Sequence, residues 1–145
     1  MTKALVTGGA GFIGSHLVDA LLDQGYEVVV LDDLSSGVKE NLDAAWNKHG
    51  ARLMLVIGSI CDVATVAAAM KGVQHVFHQA AKSLVPLSLD HPEMVTTVNV
   101  MGTLTVLQEA REAGVERVVY ASSASVYGDA IQEENGIPVG AVHEG

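Results

Sequence analysis

The chain has 145 residues, of which 49% are hydrophobic, with a formal net charge of −9 and one cysteine. This length corresponds to one domain with a buried core, and no apolar run is long enough to span a membrane. The acidic balance argues against nucleic acid and anionic membrane surfaces as partners. A lone cysteine cannot form an internal disulfide, which fits a cytoplasmic location, and a strand near the first residue leaves no room for a signal peptide.

The predicted elements alternate strand and helix from the start of the chain. An apolar run predicts a buried strand over 3–7, and an amphipathic helix follows over 12–24. A second strand covers 27–32, a short helical stretch lies around 39–48, and a third strand covers 52–57. Asp62 is suited to cap a helix that ends near Lys71.

The second half of the chain continues the same alternation. A strand is predicted over 74–79, a long helix from about Pro92 to Ala113, and a strand over 117–122. Pro92 suits the first turn of that helix and Gly114 its C-cap. Continuous Val, Leu and Ile runs are typical of strands covered on both faces. The pattern predicts the α/β class, with a doubly wound parallel sheet in the strand order 3-2-1-4-5.

Glycines lie between the first strand and the first helix in two overlapping registers, Gly9-x-Gly11-x-x-Gly14 and Gly8-x-x-Gly11-x-x-Gly14. They let the backbone approach a pyrophosphate, to which the helix N-terminus offers N–H groups and a positive dipole end. Asp32 ends the second strand 18 residues past Gly14, near the spacing at which an acid meets the adenosine ribose. This order of features favours a dinucleotide-binding Rossmann fold over an ordinary Gly-rich loop.

The histidines and the cysteine do not form a metal-binding pattern. His75 and His78 are three residues apart on a predicted strand, so they point to opposite faces of the sheet. Cys61 lies in a loop with no general base fixed near it by the sequence. We therefore expect structural roles for these residues and no metal site.

The ends of the fourth and fifth strands are candidates for chemistry, because ligands bind beyond the carboxyl edge of such a sheet. Residues 78–82 are His-Gln-Ala-Ala-Lys, whose small side chains leave space for a cofactor. Residues 120–128 are rich in hydroxyl groups that could bind a substrate alcohol or a nicotinamide ribose. Serine-rich strand ends are also common as plain turns and caps, so that interpretation stays open.

With these motifs the sequence resembles the extended short-chain dehydrogenase/reductases, in the branch of the NAD-dependent nucleotide-sugar epimerases and dehydratases. UDP-sugar 4-epimerases are the most similar members. The resemblance implies that residues 1–145 are the N-terminal part, an incomplete NAD-binding domain whose sheet stops after about five strands. The motifs that carry it are residues 7–14, 31–37, 76–81, 99–103 and 122–129.

The resemblance implies NAD as the cofactor. The backbone N–H groups of Phe12 and Ile13 would bind the pyrophosphate. Asp32 would bind the adenosine ribose diol, which favours NAD over NADP because an acid repels a 2′-phosphate. The other implied cofactor-binding residues are Gly8, Gly11, Gly14, Asp33, Ser36, Gly37, Ser59, Ile60, Ala80, Ala81, Lys82 and Asn99.

These residues divide between the two halves of the cofactor. Asp33, Ser36 and Gly37 would line the adenosine side. The segment 80–82 would pass near the nicotinamide half, and Asn99 would steady the strands behind it.

The resemblance also implies a catalytic role for Ser123, which would hydrogen-bond the hydroxyl of a nucleotide-sugar substrate as that hydroxyl is oxidised. Tyr127 belongs to the Val-Tyr-Gly motif and is not the catalytic tyrosine. The family is commonly homodimeric through its long helix. If the chain is truncated, we expect an exposed edge at Val118, Val119 and Tyr120, and uncovered side chains at Leu104, Val106 and Leu107.

Two departures from the family pattern stand out. The family usually has Gly-Asp-Ile or Gly-Asp-Leu after the third strand, where this chain has Ser59 in place of the Asp. The adenine contact is then weaker or borrowed from Asp62. The catalytic Tyr-x-x-x-Lys pair is also absent, because Tyr26, Tyr120 and Tyr127 are not followed by a lysine four residues on.

Two alternatives stay open beside a fragment of an epimerase or dehydratase, and the missing pair motivates the first of them. One is a non-catalytic NAD-binding module. The other is a different NAD(P)-dependent short-chain reductase, against which Asp32 counts.

Overall fold

The main sheet has five parallel strands in the order β3-β2-β1-β4-β5, as predicted. The computed structural model describes residues 1–123 and 126 and the backbone of residues 132–134 and 137–139. The strands of the main sheet are β1 Lys3–Thr7, β2 Glu27–Asp32, β3 Leu53–Ile57, β4 His75–His78 and β5 Arg117–Tyr120. A separate antiparallel pair joins β6 Gln132–Glu134 to β7 Ile137–Val139.

The connections between the strands are helical. The helices are α1 Phe12–Asp23, α2 Asp43–His49, α3 Val63–Ala69, α4 Val85–Asp90, α5 Pro92–Thr96 and α6 Thr103–Glu112. Short 3₁₀ turns cover Lys39–Leu42 and Gly50–Arg52.

The predicted long helix over 92–113 differs from the observed one in two ways. A separate helix, α4, precedes it, because Pro86 and Pro92 each lie in a first helical turn and the residue before a proline is disfavoured in helical conformation. His91 accordingly separates the two helices with φ −135° and ψ 58°. A π-helical segment, Thr97–Gly102, then joins α5 to α6, and such segments are frequent at functional sites.

Both faces of the sheet are covered, as the continuous apolar strands predicted. Successive strand residues point to opposite faces, so each strand supplies two layers. One face packs against α1 and α2 and includes Ala4, Val6, Val28 and Val30. The other packs against α3 and α6 and includes Leu5, Val29, Leu31 and Val76.

The predicted helix caps are present. Asp62 accepts a hydrogen bond from the Ala64 N–H at 3.1 Å and another from the Thr65 hydroxyl at 2.6 Å. The hydrogen bond from Thr65 lowers the pKa of Asp62 below its ordinary value. Gly114 follows Ala113, the last residue associated with α6, and has φ +70°, which a glycine adopts without strain.

The expected exposure of apolar residues is confirmed with two exceptions, Val118 and Val106. Val118 is half-buried and packs against the core. Val119 and Tyr120 at the edge of β5 are exposed, and so are Leu104 and Leu107 on α6. The expectation for Val106 was wrong, since this side chain is fully buried. Its position places it on the face of α6 that packs against the sheet.

Over the part of the chain that the structure describes, none of the helices has both the length and the apolar character needed to cross a bilayer.

We expect Gly14→Ala to lower the free energy of unfolding by about 3 kcal/mol or more, and Gly102→Ala by a smaller amount, about 1–2 kcal/mol. A Cβ at residue 14 would lie 2.1 Å from the carbonyl oxygen of Gly8, which is backbone and cannot move aside. A Cβ at residue 102 would lie 2.6 Å from Cδ1 and 2.7 Å from Cγ1 of the buried Ile60 side chain, which can shift where backbone cannot. Urea denaturation of both variants measures the difference, and equal losses would contradict this account of the packing.

Candidate functional site

The Gly-rich turn after β1 brings three backbone segments into contact. Gly8 has φ +69°, and a Cβ there would lie 2.8 Å from the backbone nitrogen of Ala80. Gly11 donates its N–H to the Gly8 carbonyl at 3.1 Å and accepts the Ser15 N–H at 3.0 Å as the N-cap of α1. Gly14 packs directly on Gly8. The geometry therefore uses the Gly8, Gly11, Gly14 register.

Gly9, which belongs only to the other register, allows the turn to pack closely on the residues beneath it. A Cβ at this position would lie 2.8 Å from both γ-methyl groups of Val30, a fully buried residue. Its requirement for glycine thus comes from the fit of the turn on the Val30 side chain of β2, and not from the space above the turn.

The N-terminus of α1 has the character of an anion site. Its first two residues are Phe12 and Ile13, whose side chains are 80% and 66% exposed. The N–H groups of a first helical turn lack acceptors within the helix, and they carry the positive end of the helix dipole. The N-cap residue is Gly11, which has no side chain to satisfy them. These N–H groups are therefore available to a phosphate.

Asp32, at the end of β2, is tied to the Gly-rich turn. Its carboxylate accepts the Ala10 N–H at 2.9 Å on one oxygen and the Leu34 N–H at 2.9 Å on the other. Leu34 has φ +56°, and among the described non-glycine residues it alone has a positive φ. Because each carboxylate oxygen has a further lone pair, Asp32 can still accept hydrogen bonds from a pair of hydroxyl groups.

A second carboxylate, Asp33, forms a small polar cluster with Ser35 and Lys82. Asp33 accepts the Ser35 N–H at 2.9 Å and also the Ser35 hydroxyl. The Lys82 ammonium donates to the Ser35 hydroxyl oxygen and lies 3.7 Å from the Asp33 carboxylate. Partial burial raises the pKa of Asp33, but the hydrogen bonds from Ser35 and the charge of Lys82 outweigh it, so the pKa is below its ordinary value.

Asn99 holds the backbone of Lys82 from the π-helical segment. Its Oδ1 accepts the Lys82 N–H at 2.8 Å, and its Nδ2 donates to the Lys82 carbonyl at 3.0 Å. These two bonds satisfy the main chain of Lys82 as a neighbouring strand would. The segment just past β4 is thereby fixed at the carboxyl edge of the sheet.

His78 joins β1, β4 and α6 beneath the site. Its side chain is buried, with Nδ1 2.6 Å from the Thr7 hydroxyl and Nε2 2.9 Å from the Thr103 hydroxyl. The Thr103 hydroxyl donates to the carbonyl of Asn99 at 2.7 Å, so Nε2 must donate to Thr103 and Nδ1 must accept from Thr7. His78 is therefore a neutral, structural histidine, and burial lowers its pKa.

These groups surround a cleft at the carboxyl edge of the sheet. A second, more open cleft adjoins it, shares residues 79–82 with it and continues to Asn99, Tyr120 and Ser123. The first cleft is lined by Gly8, Gly11, Leu31, Asp32, Asp33, Ser35, Ser36, Gly58, Ile60, Gln79, Ala80, Ala81, Lys82 and Val98. Together the two clefts make one groove from the end of β2 to the end of β5.

Ten of the fifteen residues assigned to the cofactor by resemblance line this groove. The other five lie beside it, namely Phe12, Ile13 and Gly14 in α1, together with Gly37 and Ser59. Ser59 accepts the Cys61 N–H on its hydroxyl oxygen at 3.1 Å. Gly37 rests on the Gly-rich turn, where a Cβ would lie 2.7 Å from the Ala10 carbonyl. Asp62, considered as a substitute for the family's Asp, uses its carboxylate to cap α3. Tyr127 lies outside the described residues.

Other residues of the groove were not identified from the sequence. Ser35 and Gln79 lie within quoted motifs but have no assigned role there, and only their position at the carboxyl edge marks them. Val98 and Thr103 come from the π-helical segment and α6. Their spacing in the sequence does not indicate a site. They reach the groove because of the way this helical segment packs beside β4.

The first cleft fits a dinucleotide by the chemistry of its walls. Because Gly8 has no Cβ, its backbone is uncovered where Ala80 approaches it. The N-terminus of α1 has no side-chain cap, so its N–H groups suit the two phosphates of a dinucleotide. Asp32 supplies an acceptor for a ribose diol, and Ala80 and Ala81 leave room beside it. Among the described residues, no group of three or more His, Cys, Asp and Glu side chains is placed to hold a metal ion.

Comparison with known proteins identifies the family to which this chain belongs. Residues 4–143 match the sequence model of the NAD dependent epimerase/dehydratase family. The match covers nearly the whole chain, so the chain belongs to this family, whose cofactor is NAD.

Individual relatives include epimerases and dehydratases. The UDP-glucose 4-epimerase of Mycolicibacterium smegmatis is 47% identical over 127 residues, which are 87% of this chain and 40% of that protein. A UDP-glucose 4-epimerase from Stenotrophomonas maltophila was solved with NAD and formylated UDP-arabinopyranose. It matches this chain with a TM-score of 0.82 at 33% identity, and the match covers 94% of this chain and 41% of the epimerase chain. The dTDP-glucose 4,6-dehydratase DesIV from Streptomyces venezuelae, solved with NAD, matches with a TM-score of 0.82 at 43% identity. That match covers 91% of this chain and 42% of the dehydratase chain. The chain thus spans about 40% of the length of these relatives.

We expect the free energy of unfolding to fall as the pH falls below about 6.5, the ordinary pKa of histidine. Burial lowers the pKa of His78 in the folded state, so the unfolded chain binds a proton first and stability is lost between that pH and the lower folded pKa. Urea denaturation between pH 5 and 7.5 measures this loss. His78→Gln should flatten the curve in this range, whereas the exposed His91→Gln should leave it unchanged. A slope that His78→Gln does not alter would contradict the assignment.

Proposed function

We propose that this chain is the NAD-binding part of a nucleotide-sugar epimerase or dehydratase, with the region that recognises the sugar outside this sequence. Residues 1–145 would form a single cofactor domain. The observation that carries the proposal is the groove itself. It joins an uncapped helix N-terminus and the Asp32 carboxylate to the hydroxyl-rich end of β5, where Ser123 lies.

The cofactor would lie along the groove with its adenosine half beyond β2. The N–H groups of Phe12 and Ile13 would bind the pyrophosphate, which the dipole of α1 also favours. Asp32 would accept the two hydroxyls of the adenosine ribose while keeping its bonds to Ala10 and Leu34. Supporting backbone or side-chain contacts would come from Gly8, Gly11, Gly14, Asp33, Ser36, Gly37, Ser59, Ile60, Ala80, Ala81, Lys82 and Asn99.

Asp32 also supports a preference for NAD over NADP. Its side chain is 7% exposed, so its charge is poorly screened by water. A 2′-phosphate at the ribose would place a second negative charge against it, and the two backbone bonds prevent the carboxylate from turning away.

In the reaction, bound NAD supplies a reversible hydride acceptor. Ser123 would hydrogen-bond the sugar hydroxyl and orient it at the open end of the groove. Removal of the hydroxyl proton needs a base, and a phenol with its ordinary pKa near 10 is a poor one unless an ammonium lies beside it. Because no tyrosine of this sequence has a lysine four residues on, the Tyr-Lys pair would come from outside it.

The proposed substrate class is the one that the epimerase relatives and the dehydratase relative have in common. The matched proteins include UDP-glucose 4-epimerases and a dTDP-glucose 4,6-dehydratase, which share a nucleoside diphosphate sugar. We extend that class to this protein. We also propose a cytoplasmic location, consistent with the single cysteine, and no association with nucleic acid, consistent with the net charge of −9.

A homodimer is the assembly that the exposed apolar face supports. Leu104 and Leu107 are 43% and 44% exposed on α6, and Val100 and Met101 are more than half exposed on the adjoining π-helical segment. Such a contiguous face on a helix is typical of a surface that another protein covers.

Two other functions remain as alternatives. The absent Tyr-Lys pair favours a non-catalytic NAD-binding module if no further segment completes the site. A different short-chain reductase that uses NADP is disfavoured by Asp32.

We expect calorimetric titration of the purified chain to show binding of NAD and at least about tenfold weaker binding of NADP, as expected from the charge at Asp32. Asp32→Ala should reduce the ratio between the two affinities. Asp62→Asn is the matched control, because that carboxylate caps α3 and should leave the ratio unchanged. A clear preference for NADP in the parent protein would revive the reductase alternative, equal affinities would contradict the role of Asp32, and no binding of either nucleotide would overturn the proposed cofactor site.

We expect the purified 145-residue chain to show no turnover of UDP-glucose or UDP-galactose with added NAD, because the base and its lysine are not in this sequence. A coupled assay for the interconverted sugar measures this. Turnover that Ser123→Ala abolishes would show that this chain is catalytically complete.

A further inference from the structure

Ser35 lines the cleft, but the resemblance to the family gives it no role. Its hydroxyl donates to Asp33 and accepts from the Lys82 ammonium, so it lies between the two charges. The family resemblance places Lys82 near the nicotinamide half. In the structure its ammonium reaches across the cleft to Ser35 and Asp33, on the loop that follows β2.

That loop is seated on the Gly-rich turn. The Ala10 carbonyl accepts the Val38 N–H at 3.2 Å and the Asn41 side-chain amide at 2.7 Å. Gly37 packs against the same carbonyl so closely that a Cβ would lie 2.7 Å from it. Ser35, two residues before Gly37, therefore holds the Lys82 ammonium beside the turn from which α1 begins.

Lys82 is held at both of its ends. Asn99 fixes its backbone with two hydrogen bonds, and Ser35 with Asp33 fixes its ammonium. The side chain is only 16% exposed, and among the described residues that line the first cleft it is the one cationic side chain. A lysine ordered in this way has already lost the rotamer freedom that binding a ligand would otherwise cost.

We propose that Ser35 is a positioning residue, which holds the Lys82 ammonium beside the Gly-rich turn so that it binds the pyrophosphate of the cofactor. This proposal rests on the proposed NAD-binding function. The Ser35 hydroxyl accepts one of the three N–H donors of the ammonium, which leaves the others for an anion. The pyrophosphate thus lies between two positive groups, the N-terminus of α1 and the ammonium of Lys82.

A double-mutant cycle on the dissociation constant of NAD tests this role. Ser35→Ala should weaken NAD binding by about threefold to tenfold, and Lys82→Met by about tenfold or more. In the Lys82→Met background, Ser35→Ala should have no further effect, because Ser35 acts only through the lysine. Both single variants should also make the dissociation constant less dependent on salt, which a purely structural loss would not do.

Ser36→Ala is the matched control, since Ser36 is the neighbouring serine and is assigned to the adenosine side. Its effect should be the same factor with and without Lys82. Urea denaturation of every variant shows whether it is folded, and Lys82→Gln replaces Lys82→Met if the latter does not fold.

The outcomes separate the two proposals. If the parent chain binds no NAD, the proposed function fails and the role of Ser35 fails with it. If the parent chain binds NAD but Ser35→Ala changes nothing, or weakens binding equally in both backgrounds, the cofactor site stands and the positioning role is overturned. Loss of the Ser35 effect in the Lys82→Met background, together with the reduced salt dependence, supports it.

Discussion

The structure depends on one place where the backbone leaves no room for side chains. The carbonyl of Gly8 occupies the space that a Cβ of residue 14 would need, and Gly8 itself lies against the backbone of Ala80. β1, α1 and the end of β4 can converge only because two of the three contacting residues are glycines. This convergence places the helix N-terminus at the carboxyl edge of the sheet, which is where an anion can use its free N–H groups.

A series of buried hydrogen bonds holds the elements at that edge of the sheet together. The Thr7 hydroxyl, the neutral ring of His78 and the Thr103 hydroxyl join three elements through hydrogen bonds, which end at the carbonyl of Asn99. The Asn99 side chain then holds the main chain of Lys82. The structural core and the groove are therefore connected by directional bonds.

Local charge explains how a chain with a net charge of −9 can take an anionic dinucleotide. The N–H groups of α1 and the Lys82 ammonium supply positive charge along the groove, while the Asp32 carboxylate is hydrogen-bonded to two backbone donors. Within the groove each charge is neutralised or hydrogen-bonded over a few ångströms, a distance over which the net charge of the molecule matters little.

The sequence by itself determined the strand order, the two-sided burial of the sheet, the Gly-rich turn and the cap at Asp62, because each depends on periodicity or on short-range backbone chemistry. It did not determine α4, the π-helical segment or the burial of Val106, which depend on how the helix after β4 packs on the sheet. Only the tertiary structure decided where the Lys82 ammonium lies. Ser35 is 47 residues away in the chain, and the two meet because the loop after β2 folds onto the Gly-rich turn.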